Sequence, residues 1–246
     1  MLSLNSTLLY ATNSSTAKPH ASKTTPTLDW SLNGLNQAQL QDETGKGPYP
    51  VYAKAQVLLN HAHASPGAID GGFGKNMTKA VATFQIMNAL KPTGKLDQQT
   101  WIALNKKVQK PAFIQYTVTQ ADLNVPYVSH IPANYAKQAK MKGLYYTSVA
   151  EMLSEKFHID ESFLRMLNPK KKLNKVGEVI MVPNPRSGLP EDVHYIVAHK
   201  GVKQLYLFNQ RNQLIGSLPA SIGASGTPSP KGEHKILNVT PNPYYG

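Results

Sequence analysis

Apolar side chains along this chain change their period as it proceeds, and each change marks a unit. Val51, Ala55, Leu58 and Leu59 recur at helical spacing and predict a first amphipathic helix. Ser65-Pro66-Gly67 and Asp70-Gly71-Gly72-Phe73-Gly74 then break the chain, since glycine supplies the positive φ of tight turns. Asn76 is placed to cap a second helix with Met77, Ala80, Val81 and Phe84 on one face. After Lys91-Pro92-Thr93-Gly94, Asp97 is placed to cap a short third helix bearing Trp101 and Leu104. Residues 48–110 are therefore expected to form a three-helix unit around one small apolar core.

A second helical region follows. Val149, Met152, Leu153 and Phe157 share a face, and Asp160 is placed to cap a helix carrying Phe163, Leu164 and Leu167. That helix ends at Asn168-Pro169, because proline cannot continue it. A short β run over residues 177–183 stops at Pro183. Residues 137–187 read as a small α/β unit. Residues 111–136, with prolines at 111, 126 and 132, read as a linker. Beyond Pro190 the period becomes two: Val193, Tyr195 and Val197 alternate with His194, Ile196 and Ala198, and Leu205 and Leu207 with Tyr206 and Phe208. A polar turn over residues 209–212 precedes Leu214-Ile215, which makes a β-meander with apolar residues on both faces. Residues 1–47 read as leader and linker, flexible over 12–27 where Ser, Thr, Lys and Pro dominate. The expected class is multidomain α+β.

Composition narrows the chemistry. Lys+Arg 26 against Asp+Glu 14 gives a formal charge of +12, which attracts polyanions: nucleic acid generically, and equally an anionic cell envelope. Lysines cluster only at Lys170, Lys171 and Lys172, without interleaved aromatics, so the stacking half of a single-strand binder is missing and no nucleic-acid partner is expected. Zero cysteine removes disulfides, thiolate metal sites and thiol chemistry together. His61 and His63, two residues apart, point in different directions on a helix, so no metal and no cofactor is expected. No apolar run reaches the roughly 20 residues of a membrane span. The start, residues 1–11, is the one candidate targeting segment. It lacks a basic flank and is interrupted by Asn5, Ser6 and Thr7, which leaves a signal-peptide tail and an ordinary disordered terminus both open. Ser15 and Lys18 have the Ser-x-x-Lys spacing of serine acyltransferases, without companion motifs, and read as coincidence.

The residues support three family resemblances. Residues 55–59, 65–71, Phe73-Gly74, Ala80-Val81, Phe84-Gln85, Gly94, Thr100-Trp101 and Leu104 together resemble the three-helix peptidoglycan-binding-like domain. Leu167-Asn168-Pro169, Gly177 and residues 180–183, with the helix over 150–157, resemble the lysin-motif domain that binds N-acetylglucosamine-type glycans. Its usual Gly-Asp-Thr-Leu start is replaced by Gly143-Leu144-Tyr145-Tyr146-Thr147. The resemblance places the sugar between the loop before the first helix and the loop after the second. The candidate glycan contacts are therefore Gly143, Tyr145, Thr147, Asn168 and Lys170. A spacer role for this unit stays open.

Third, Gln204 and Tyr206, Ser221-Ile222-Gly223, Thr227-Pro228, Pro230-Lys231-Gly232, Ile236 and Asn242-Pro243-Tyr244-Tyr245 resemble the first half of an L,D-transpeptidase catalytic domain, over residues 190–246. The resemblance implies a periplasmic or envelope enzyme acting on peptidoglycan glycan strands and stem peptides, by 3-3 cross-linking or lipoprotein attachment. A cysteine attacks the stem-peptide carbonyl, a histidine takes its proton and backbone amides hold the oxyanion. No catalytic residue is assigned within the chain: the nucleophile and its histidine are expected beyond Gly246, and His234 reads as a surface residue. The chain itself is expected to be inactive, and a non-catalytic peptidoglycan-binding adapter is the alternative. Residues 190–246 are expected to expose apolar strand surface and an unpaired edge, and so to be poorly ordered or aggregation-prone in isolation.

Overall fold

The computed structural model describes residues 28–41, 45–141, 143, 145–224 and 226–239. The targeting segment, the Ser15/Lys18 pair and residues 242–245 lie outside the described residues. In chain order the elements are α1 (Leu32–Gln37), α2 (Pro50–His61), α3 (Lys75–Met87), α4 (Gln98–Lys107), β1 (Phe113–Thr117), α5 (Gln120–Leu123), α6 (Tyr135–Gln138), α7 (Val149–Phe157), α8 (Glu161–Leu167), β2 (Val179–Pro183), β3 (Tyr195–His199), β4 (Gln204–Phe208) and β5 (Leu214–Pro219). The mixed helix-and-sheet class expected from the periodicity is what the fold shows. Among the described residues no helix is long and apolar enough to cross a membrane.

The centre of the fold is α2. Pro50 opens it at the first helical position, where no amide donor is needed, and every residue from Pro50 to Asn60 is buried. One face, with Val51, Tyr52, Ala55, Leu58 and Leu59, meets Met77, Val81 and Phe84 of α3 and Trp101 and Leu104 of α4. This is the core the periodicity predicted. The other face, Ala53 and Val57, joins a second core with Leu35, Phe113, Leu153, Phe163, Leu164 and Ile180. The first two units therefore share a helix, and the separate cores expected from the sequence are fused through it. Asp97 caps α4 by accepting from the Thr100 amide, as expected. The N-cap of α3 is Gly74 and not Asn76, which lies inside the first turn.

Two stretches read as linker are structural. Ser31 caps α1, Leu35 is fully buried, and the Asn36 side chain clamps Phe113 by accepting from its amide and donating to its carbonyl, both at 2.9 Å. Lys54 donates to the Ala38 carbonyl at 3.0 Å and sits 5.2 Å from the centre of the Trp101 ring. Residues 28–41 are thus part of both cores. In the stretch 111–136, β1 pairs antiparallel with β2 from Phe113↔Pro183 to Thr117↔Val179. The outcome is a unit in which β1 and β2, with α5 to α8 between them in the chain, share one core with α7 and α8, and Asp160 caps α8 through the Phe163 amide.

The remaining strands form the sheet β3-β4-β5. Its inner side is covered: Gln204 and Ser217 are buried against Thr83 of α3, and Lys79 donates to the carbonyls of Val202 and Lys203. Residues 63–65 run beside β5, with the Ser217 amide donating to the His63 carbonyl at 2.8 Å and the Ser65 amide to the Ser217 carbonyl at 2.9 Å. Gly216 permits that approach, since a Cβ there would stand 3.1 Å from the His63 carbonyl oxygen. The exposed apolar surface expected for this segment is found on β3, where Tyr195, Ile196 and Val197 are 38%, 46% and 41% exposed, and after β5, where Ile236, Leu237 and Val239 are 71%, 88% and 81% exposed.

A buried carboxylate ties α5 to α7. Thr119 and Asp122 form a reciprocal cap on α5, and Asp122 also accepts from the Tyr116 hydroxyl and the Lys156 ammonium, both at 2.7 Å. Burial alone pushes the Asp122 carboxyl up, but the hydrogen bonds from Lys156, Thr119 and Tyr116 outweigh it and bring it from 3.8 down to about 2. A carboxylate depressed in the folded state stabilises the fold above its unfolded pKa, and that contribution fades as pH falls through the folded value. Asp122→Asn is expected to cost about 2 kcal/mol near neutral pH. The gap to the parent chain should narrow below about pH 4 in urea unfolding curves; a gap that does not change with pH would rule out the ion pair as its source.

Candidate functional site

Two buried glutamines shape the surface most suited to a ligand. The Gln56 amide oxygen accepts from the amides of Asp70 (3.0 Å) and Gly71 (2.8 Å), while its nitrogen donates to Asp70 Oδ1 (2.7 Å) and the Gly72 carbonyl (3.1 Å). These bonds fold residues 70–72 against α2 and so deliver Phe73. Gln85 repeats the device on α3: its oxygen accepts from the Gly94 amide at 2.9 Å, and its nitrogen reaches Thr100 Oγ1 at 2.8 Å and the Lys95 carbonyl at 3.1 Å. Gly94 has φ +67, and a Cβ there would lie 2.8 Å from Thr78 Cγ2. The turn that presents Lys95, Leu96 and Asp97 therefore depends on this glycine and on Gln85.

Between the two loops lies a groove of about 790 Å³. Tyr52 and Phe73 stand on one side with ring centres 5.2 Å apart, and Tyr49 meets Tyr52 edge-on at 5.4 Å. Leu40, Lys46, Lys95, Leu96, Asp97 and Gln98 are among the other residues that line it. Aromatic faces flanked by amides, cations and a carboxylate suit a ligand with apolar ring faces and polar edges, as sugars have. None of these residues stood out as a site from sequence. The legible signal was the pair of glycine-broken loops, which set the groove's walls.

The expected glycan contacts behave differently from one another. Gly143 is half-buried with the Tyr145 ring against it, and a Cβ there would lie 3.0 Å from Tyr145 Cε1. Thr147 donates its amide and hydroxyl to Glu151 Oε2 at 2.6 and 2.5 Å, which holds the Glu151 carboxyl below its usual range. Ser148 caps α7 at the same turn. Asn168 is buried, and its amide is engaged internally: it accepts from the Met181 amide at 2.6 Å and donates to the carbonyls of Leu164 and Met181. It locks α8 to β2 and presents no polar edge outward, so the expectation that it contacts sugar is corrected. Lys170 is exposed in a left-handed conformation, φ 66. Among the described residues no hydrogen bond or ion pair joins the 143–148 loop to the 168–172 loop. His234 is exposed, as expected. Among the described residues no cluster of His, Cys, Asp or Glu is arranged to hold a metal ion.

Residues 51–104, which carry most of this groove, match the family described as a putative peptidoglycan binding domain. The chain is also similar to the carboxy-terminal processing protease CtpB of Bacillus subtilis (strain 168), with 46% identity over 56 residues. That stretch is 23% of this chain and 12% of the protease, so the chain spans only a small part of that relative's length. The peptidoglycan-binding match supports association with the cell wall.

Replacing Gln85 by leucine keeps volume and removes every bond to the 93–100 turn. The stranded Gly94 amide should cost about 1–3 kcal/mol in chemical denaturation. Hydrogen exchange should rise at Gly94 and Lys95 before it rises in α3. Unchanged protection at those amides would mean that Gln85 does not hold the loop.

Proposed function

We propose that this chain is the wall-anchoring portion of a periplasmic or envelope L,D-transpeptidase. The observation that carries the wall-directed part is the aromatic groove on the segment matching the peptidoglycan-binding family. The packing of α7 and α8 with the β1–β2 pair supports a second, lysin-motif-like module, with Gly143, Tyr145 and Lys170 as the residues available to a glycan. In this reading the partner of both modules is peptidoglycan, through its glycan strands and stem peptides.

The meander β3-β4-β5 and the loop after it support the transpeptidase reading. An open groove of about 1320 Å³ runs between β3 and residues 229–236, lined by Val193, Tyr195, Val197 and Ile236. The reaction assigned to the parent protein is acyl transfer between stem peptides. A thiolate attacks the carbonyl of the third stem residue after a histidine takes the thiol proton, backbone amides hold the oxyanion, and the amine of the following residue departs. The side-chain amine of a neighbouring stem then displaces the thiol. With no cysteine among its 246 residues, this polypeptide contributes binding and not the thiolate. The same zero favours the second reading, a peptidoglycan-binding adapter without catalysis.

Retention on purified sacculi is the direct test. Full-length chain should sediment with sacculi and persist as salt is raised, because ring contacts and neutral hydrogen bonds are not screened as phosphate contacts are. Phe73→Ala, checked for an unchanged melting curve, should reduce retention about three- to tenfold, the worth of one aromatic contact. Saturable DNA binding without retention on sacculi would overturn the wall assignment. An in-frame histidine followed by Ser-His-Gly-Cys after codon 246 selects the enzyme over the adapter, and a stop codon there selects the adapter.

A further inference from the structure

The sheet β3-β4-β5 has two edges, and they differ. The β5 edge is closed off, because residues 63–65 run along it and exchange amide–carbonyl bonds with Ser217. The β3 edge is open: among the described residues β3 pairs with β4 alone, and every residue from Glu191 to His199 is exposed. Val193 and Ile196, in that stretch, are 37% and 46% exposed. Edge strands are ordinarily blunted by proline, lysine or a bulge. β3 contains no proline and no lysine, and its register with β4 runs without a shift.

Two hydrogen bonds fix which backbone groups of β3 face outward. The His194 amide donates to the Phe208 carbonyl at 2.7 Å, and the Lys200 carbonyl accepts from the Lys203 amide at 3.2 Å. The even-numbered residues therefore turn toward β4. Backbone groups alternate along a strand, so the amides and carbonyls of Tyr195, Val197 and His199 point to the free side. Opposite charges flank this edge. Asp192 precedes β3 and forms no ion pair with a described residue, while its neighbour Glu191 is held by Arg211 at 3.0 Å. Lys200 follows β3, with its ammonium on the Ser229 carbonyl and no carboxylate among the described residues. An acid at one end and a base at the other make the edge complementary to its own reverse.

We infer that β3 is a self-association surface, through which two copies of this chain pair antiparallel, edge to edge, across a twofold axis at Ile196. In that register Tyr195 of each copy lies opposite Val197 of the other, and both donate and accept through their free backbone groups. Asp192 of each copy faces Lys200 of the other, twice over by symmetry. The two Ile196 side chains meet at the axis, in a non-hydrogen-bonded pair, where side chains approach most closely. Moving the axis to Val197 keeps the backbone bonds but sets Lys200 against His194 and Asp192 against Val202, so charge selects the first register. With residues 63–65 along the other edge, pairing closes at two copies and does not extend into a fibre. The contact shares no residue with the lining of the aromatic groove, so wall retention and self-association are read out separately.

Sedimentation velocity of the full chain, from about 1 to about 200 µM in about 0.15 M salt, should show a monomer–dimer equilibrium with a Kd of about 10 µM. Asp192→Lys and Lys200→Asp each set like charges opposite one another at both ends of the contact, and each should weaken the dimer about tenfold. The double variant rebuilds both pairs in reverse and should return the Kd to within about threefold of the parent chain. Val197→Pro removes an outward amide and leaves the bonds to β4 in place, so dimerisation should be lost with the circular dichroism spectrum unchanged. A chain that stays monomeric to about 200 µM would overturn the proposal. So would a dimer indifferent to the single charge reversals, a double variant that does not recover, or assembly beyond two copies.

Discussion

Everything in this fold is referred to one helix that has no solvent face. A helix buried on all sides normally belongs to the centre of a much larger domain. Here α2 gains that environment because two small units close on it from opposite sides, one through Phe84 and Trp101 and the other through Phe113, Leu153 and Phe163. Neither unit has a large core alone. Sharing α2 spreads its apolar surface over both, at roughly 1.5–3 kcal/mol for each fully buried aliphatic side chain. The N-terminal segment completes the arrangement, since Leu35, Asn36 and Ala38 bridge from one core to the other. The hydrophobic contacts thereby set the positions from which the two glutamines reach their loops.

Local features were legible in the sequence and remote ones were not. The faces of α2, α3, α7 and α8, and the caps at Asp97 and Asp160, are set within one or two helical turns, so periodicity and residue type suffice to find them. The strand β1 is five residues long among prolines, and its partner β2 lies on the far side of four helices; nothing local distinguishes it from a linker. The shared burial of α2 was hidden for a different reason. Ala53 and Val57 fall off the predicted stripe, and a small residue on an apparent outer face reads as neutral. Asn168 misled in the opposite direction, because an asparagine before proline at a helix end looks like a surface turn. Its amide serves a backbone edge thirteen positions on.

The candidate site follows the same division. The glycine-broken loops around it were visible, but the groove exists because Gln56 and Gln85 convert those loops into fixed walls. A glutamine at a core position is costly unless both ends of its amide are bonded. In each case the turn it holds supplies the missing partners, so the polar core residue and the irregular loop stabilise one another. The basic surplus plays no comparable part in the groove, where Lys46 and Lys95 stand at the edge of an aromatic lining.

The backbone splice between residues 63–65 and β5 has a mechanical consequence. Flexible tethers let anchored modules swing through a wide volume, so that a bound matrix constrains them only loosely. A pair of amide–carbonyl links, backed by the packing of Gln204 and Ser217 on α3, removes that freedom here. The aromatic groove therefore stands at one separation and one angle from the free margin of β3, and the reach of that margin is a property of the fold.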